Sequence, residues 1–344
     1  MEQQQEQDWN NIPGDEVTPA EAEIVYPPKF QKQEEAQTNV WLRSFVSLAL
    51  YLILGYYIFH SFVMLLIITG IVVIHELGHF FAMKMFRYKD LGIFFIPLLG
   101  AYVSGSKREV SQKESAIILL AGPLPGILIG IACYLLWENN PSIYIGPVSL
   151  NTVGLLFMFL NLINLLPVYP LDGGQLLNRV FLDEEGWISK IFVVISAGLL
   201  IWVAWRLYSS SGHPFYFILF LFPLMMLMRL QSDSKYKPIE KRVENEGINA
   251  DVSYEELPDK DYWHIRKILI EEQSAFKDVD PDPAAGYDEK EEKIMTMVQS
   301  LLHRHLIQDV SPAGKLLILV ICAAAFASPW LLNMDLSFFG QFGF

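Results

Sequence analysis

The chain has 344 residues, 52% of them apolar and only 18% charged, with a net charge of −13. A charged fraction well under a quarter, with positive mean hydropathy, excludes an ordinary soluble enzyme and points to a polytopic membrane protein with soluble attachments. The acidity is local: residues 1–40 hold nine acids against two bases and residues 231–312 nineteen against eleven, so no basic surface is offered to nucleic acid.

Residues 1–42, rich in Gln, Glu and Pro, are expected to form an acidic, disordered cytoplasmic tail. They lack a basic stretch followed by an apolar one, so membrane insertion is expected to rely on the first hydrophobic helix. From Trp41 to Met85 the apolar length suits two spans better than one. A hairpin near Tyr57–Ser61 divides it into helices over 43–59 and 62–85, with His60 at the turn. Within the basic stretch 87–114, residues 92–103 are apolar but punctuated by Gly and Pro, which suits short strands or a re-entrant element. Membrane depth tolerates such backbone only where protein or a water-filled cavity satisfies its polar groups.

Further spans are expected over 115–137, 151–168, 187–208, 214–230 and 314–333. Cys133 and Cys322 fall in two of them and specify neither a disulfide framework nor a thiolate metal site. The fold class is therefore an all-α polytopic bundle of about seven transmembrane helices with a short membrane-associated β element. Residues 43–230 form a six-span core, 231–312 an acidic cytoplasmic helical segment opening with a charged linker, and 313–344 an additional C-terminal transmembrane helix. In the acidic segment Ile265, Ile268 and Leu269, then Ile294, Met297, Val298, Leu301 and Leu302, recur at helical spacing and predict two helices. His303 and His305, two apart, point in different directions on a helix and are expected at the surface. The bases of 87–114, 172–190 and 231–312 put those segments and the N-terminus in the cytoplasm.

The chemistry centres on Ile74-His75-Glu76-Leu77-Gly78-His79, an H-E-x-x-H pentad inside the second span. Residues four apart share a helix face, so His75 and His79 can present two imidazoles to one metal ion. Glu76, one position along, can serve as general base to a water on that metal. In a soluble helix the same pentad is often only a salt-bridged surface. Two histidines and a carboxylate are costly in hydrocarbon, which makes them a functional site by default. A catalytic zinc takes three protein ligands. Asp172 is the candidate third, at the cytoplasmic end of the fourth span, where Pro167 and Pro170 break the helix and Gly173-Gly174 permits close backbone approach.

With these residues in view, the chain resembles the site-2 protease family of intramembrane zinc metalloproteases. The resemblance rests on His75-Glu76-Leu77-Gly78-His79, on Asn164-x-x-Pro167-x-x-Pro170-Leu171-Asp172-Gly173 and on Gly100-Ala101-Tyr102-Val103, and covers roughly residues 45–230. It implies one Zn2+ per chain on His75, His79 and Asp172, with Glu76 activating water. The substrate it implies is a membrane-anchored protein held within the lipid bilayer, and a bacterial cytoplasmic membrane is the expected location. The family often carries an Asn where this chain has Gly126. Asn164, with Asn161 one turn away, remains as an amide contact to substrate or oxyanion, or as an interhelical hydrogen bond. Gly100, Tyr102 and Val103 are candidates for pairing an unwound substrate strand.

Three other readings compete. A prenyl-protein-processing zinc protease would take its third ligand from a Glu on a later span, and none is present there. A metal-dependent transporter would place polar residues along several spans, whereas the later ones are nearly bare. A catalytically inactive substrate-binding scaffold would not need Glu76.

Overall fold

The computed structural model describes residues 26–31, 40–96, 100–107, 110–182, 186–212, 219–250, 252–302 and 306–334. Eleven α-helices and six short strands occur among them. The chain divides into two compact units, residues 1–31 with 254–299, and residues 32–253 with 300–344.

The larger unit begins with an antiparallel pair, α1 (Val40–Phe59) and α2 (Phe62–Met85), joined at His60, whose φ of 49° makes the turn. Ser61 caps α2 by accepting the Met64 N–H. The apolar stretch 92–103 forms a hairpin of β1 (Lys89–Ile96) and β2 (Gly100–Ser106), antiparallel, with Phe95 opposite Ala101 and Ile93 opposite Val103. The two-residue period sends Ile93 and Phe95 inward, where they pack with Tyr51, Leu65 and Phe80 of α1 and α2. Ser47 of α1 accepts the Phe95 N–H at 3.1 Å, so α1 caps the outer edge of β1.

After the short β3 (Val110–Ser111) come α3 (Gln112–Ala121) and α4 (Pro123–Asn139), one apolar rod broken at Gly122-Pro123. A small hairpin of β4 (Tyr144–Ile145) and β5 (Val148–Ser149) leads into α5 (Leu150–Asn164). Gly130 and Gly154 face each other across α4 and α5, and a Cβ on either would lie 2.9 Å from the other's carbonyl oxygen. Small residues at such a crossing let two backbones approach where helix association must come from packing. Past a loop containing the cis Tyr169–Pro170 bond lie α6 (Asp172–Leu176), a π-helical turn (Leu177–Phe181), α7 (Trp187–Ser211) and α8 (Leu221–Asn245).

The unit is completed by β6 (Leu306–Ile307) and α11 (Pro312–Leu331). β6 pairs in parallel with β3, and Asp309 accepts the Ser111 hydroxyl at 2.6 Å and the Lys113 N–H at 3.0 Å. Ile318 and Ala325 of α11 enter the same core as Ile127, Leu155 and Met158.

Helices Phe62–Met85, Gln112–Asn139, Trp187–Ser210 and Pro312–Leu331 are long and apolar enough to cross a membrane, and two shorter apolar helices accompany them. Four such helices lie among the described residues, and the count of seven spans remains an expectation. The expected 214–230 span begins in part outside the described residues, and α8 runs on to Asn245 where a charged linker was expected after residue 230. Lys, Glu and Arg are good helix formers, so the loss of hydropathy there marks a change of surroundings and no helix end.

The smaller unit holds α9 (Asp259–Glu272) and α10 (Glu291–Leu301), the two helices expected from periodicity. Ile265, Ile268, Leu269, Ile294 and Val298 are all buried. Between the helices Arg266 grips Glu291 with two hydrogen bonds, 2.8 and 3.1 Å, and both side chains are 1% exposed. Tyr262 donates to the same carboxylate at 2.5 Å, and Arg266 reaches the Asp280 carbonyl at 2.8 Å. Of the expected tail, residues 26–31, without helix or strand, pack in this unit. His303 and His305 lie outside the described residues. Arg266→Ala is expected to destabilise this unit by about 3–5 kcal/mol, because it leaves the Glu291 charge buried without its cation. Lost hydrogen-exchange protection of α9 and α10 is the readout.

Candidate metal centre

His75, Glu76 and His79 sit in the second half of α2 and are buried to 7%, 6% and 8% exposure in an otherwise apolar helix. One turn separates the histidines, and their Nε2 atoms are 3.1 Å apart. Asp172, the first residue of α6, brings its Oδ2 to 3.0 Å from His75 Nε2 and 3.2 Å from His79 Nε2. Among the described residues these three form the group able to hold a metal ion.

The outer sides of both rings are held. His75 Nδ1–H donates to Asn161 Oδ1 at 2.8 Å, and His79 Nδ1–H to the Ile118 carbonyl at 2.8 Å. The amide of Asn161 is turned this way because its N–H side donates to the Phe157 carbonyl at 2.8 Å. Ile118 lies in the last turn of α3, just before the break at Gly122-Pro123. With the proton on Nδ1, each histidine directs a lone pair inward from Nε2.

That arrangement tests the fit of a cation. Two nitrogen lone pairs and a carboxylate oxygen converge, and Asp172 Oδ2 is buried without a hydrogen-bond donor. Three acceptors with no proton between them repel unless a cation joins them. A tetrahedral zinc with bonds of about 2.0–2.1 Å separates its ligand atoms by about 3.3 Å. The observed 3.0–3.2 Å separations come within a few tenths of an ångström of that, and a nitrogen and oxygen donor set suits zinc. The residues fit the metal.

Glycines supply the space. A Cβ at Gly122 would fall 2.3 Å from His79 Nε2, and one at Gly126 would fall 2.2 Å from Asn161 Nδ2. The bare position 126 is therefore filled from α5 by the Asn161 amide. A Cβ at Gly173 would strike the Leu165 carbonyl at 2.0 Å, so α6 folds back onto the end of α5 and brings Asp172 to the pentad. Gln175 secures the fold-back by donating to the Pro170 carbonyl at 2.9 Å.

The remaining candidates lie apart from this centre. Asn164 turns its N–H to the Leu160 carbonyl at 3.0 Å on its own helix. Gly100, Tyr102 and Val103 are in β2, where Tyr102 stacks on Phe94. Sequence reasoning missed the Ile118 carbonyl, which any residue type supplies, and the pairing of Gly126 with Asn161.

Residues 63–142 match the family model for peptidase family M50. A zinc metalloprotease of Methanocaldococcus jannaschii is 27% identical over 177 residues, 51% of this chain and 50% of that protein. Stage IV sporulation protein FB of Bacillus subtilis is 35% identical over 121 residues, 34% of this chain and 40% of that protein. The solved site-2 protease from M. jannaschii aligns over 54% of this chain and 84% of its own, with 25% identity and a TM-score of 0.38. The chain spans half or less of the length of these curated relatives. Over the segment that holds the pentad, the chain is therefore similar to peptidase family M50. Its four long apolar helices and this similarity mark a multi-pass integral membrane protein.

Outer partners of metal-bound histidines typically carry a 10- to 100-fold share of metal affinity. Asn161→Ala is expected to weaken zinc by about that factor in chelator competition, and His79→Ala or Asp172→Ala to remove it.

Proposed function

We propose that the chain is a zinc metalloendopeptidase that hydrolyses a peptide bond in or beside the transmembrane segment of a membrane-anchored protein. The observation that carries the reading is the convergence of His75 Nε2, His79 Nε2 and Asp172 Oδ2 inside an apolar bundle, with Glu76 beside them. Zinc held by the three would supply a Lewis acid and lower the pKa of water toward about 7.

The protein's own part is proton traffic and orientation. The Glu76 carboxylate takes the proton of the attacking water as oxygen bonds to the scissile carbonyl carbon. It then delivers that proton to the leaving nitrogen as the C–N bond breaks, yielding a carboxylate and an amine. Asn161 and Ile118 keep both imidazoles in the tautomer that leaves Nε2 free. This assigns Asn161 to positioning His75 in place of a substrate contact.

A helical substrate span hides its carbonyls in its own hydrogen bonds, so it must unwind before attack. Because the Phe95 N–H points to Ser47, the Phe95–Ala101 and Ile93–Val103 pairs are the non-bonded ones of the hairpin. Alternation then turns the backbone groups of Ala101 and Val103 to the free edge of β2 and those of Gly100 and Tyr102 toward β1. The edge groups that receive an extended substrate are therefore Ala101 and Val103. The bases flanking the hairpin support a cytoplasmic opening, with the N-terminus on the same side of a bacterial cytoplasmic membrane.

Glu76→Gln is expected to lower cleavage of a reconstituted membrane-anchored substrate by 10²- to 10⁴-fold with zinc content unchanged. Undiminished cleavage would overturn the role of Glu76, whereas transport or substrate binding that survives the change, with no cleavage by the unaltered chain, would favour the transporter or scaffold readings. Val103→Pro is expected to slow cleavage several-fold, the worth of one backbone hydrogen bond at about 1 kcal/mol, again without loss of zinc.

A further inference from the structure

The contacts of residues 26–30 in the smaller unit follow an unusual pattern. Pro27 and Pro28 have no N–H, so a carbonyl is the one backbone hydrogen-bonding group each offers. Both carbonyls are taken by aromatic side chains. Trp263 Nε1–H donates to the Pro27 carbonyl at 2.8 Å, and the Tyr287 hydroxyl donates to the Pro28 carbonyl. A third aromatic donor, Tyr254, reaches the Phe30 carbonyl at 2.6 Å.

Between them Lys29 is read at both ends. Its N–H donates to Asp259 Oδ1 at 2.8 Å, and its ammonium to the Glu255 and Leu257 carbonyls at 2.8 and 2.6 Å, with the ring of Tyr254 5.9 Å away. Tyr26 meets His264 at 3.1 Å, and Phe30 packs edge-on against Tyr287.

The reading surface is also held by contacts of its own. Trp263 is 1% exposed, stacks parallel to Tyr287 at 5.9 Å, and lies over the Arg266 guanidinium at 4.7 Å. Arg266 is in turn locked to Glu291. Burial first, and then the nearby carboxylates of Glu291 and Asp259, push the phenols of Tyr254 and Tyr287 above their ordinary range, so both stay donors. None of the named bonds is a backbone ladder. Side chains of one element read the carbonyls of another, which is how aromatic-lined grooves recognise polyproline-type peptides.

We propose that residues 254–299 form a peptide-binding site for segments of the pattern aromatic-Pro-Pro-Lys-aromatic, and that Tyr26–Phe30 is its ligand, held in cis. The pattern follows from the contacts: two imino residues leave only carbonyls to be read, the lysine satisfies two carbonyls of the site, and the flanking aromatics close the ends. The site is independent of the metal centre and of the proteolytic reading.

The test uses the full-length protein in detergent and a fluorescent synthetic peptide of residues 23–32. In a Tyr26→Ala/Lys29→Glu variant the new carboxylate faces the Glu255 and Leu257 carbonyls, which empties the site. Anisotropy should then show the peptide binding this variant at least tenfold more tightly than the unaltered chain, whose tethered copy competes for the site. Adding Tyr287→Phe to the variant, or changing both prolines of the peptide to alanine, should weaken binding at least tenfold. Equal binding to both proteins, or none to the emptied one, overturns the proposal. So does loss of hydrogen-exchange protection in α9 and α10 of the emptied variant, because the segment would then be part of the fold and no ligand.

Discussion

The larger unit depends on keeping three proton acceptors together in an apolar bundle. Two imidazole nitrogens and one carboxylate oxygen within 3.2 Å of one another would separate if either ring turned over. Two hydrogen bonds on the far sides of the rings prevent that, one donated to a side-chain amide oxygen and one to the carbonyl of a broken helix. Much else follows from providing them. The break at Gly122-Pro123 ends α3 near Ile118, the close crossing of α4 and α5 brings Asn161 within reach, and the fold-back at Gly173 returns Asp172 to the pentad.

How much of this was legible depends on the range of each interaction. The pentad is local, and helical geometry alone puts His75 beside His79. Asp172 was visible because its prolines and glycines announce a chain reversal. The role of Asn161 was not: Gly126 looked like a missing amide, whereas the amide comes from another helix 35 residues on. A single sequence does not reveal that a cavity at one position is filled from elsewhere. The Ile118 carbonyl was invisible in principle, since backbone groups carry no residue signature.

The soluble parts misled through averaging. Composition taken over the first 40 residues describes a polar tail and hides five residues, Tyr26 to Phe30, rich enough in contacts to be held. Hydropathy likewise implied an end to α8 near residue 230, yet the helix continues as its residues turn charged, with Arg242 and Glu246 paired at i,i+4 in its last turn. The two buried helices of the smaller unit were legible because their apolar period is strong and their core tight, with Ile265, Leu269, Ile294 and Val298 all at 0% exposure.

The parallel pairing of β3 with β6 bears on how the protein comes into being. Asp309 holds the Ser111 hydroxyl and the Lys113 N–H across 198 residues of chain, at the start of the helix whose other end supports His79. A ribosome adding about 5–20 residues each second needs roughly 10–40 s to make that stretch. Throughout that interval the nascent chain holds both halves of the H-E-x-x-H pair but not the anchor at the head of α3. The centre therefore reaches its finished support only when α11 is about to emerge. α11 is accordingly a late-made part of the core that it shares with Ile127, Leu155 and Met158.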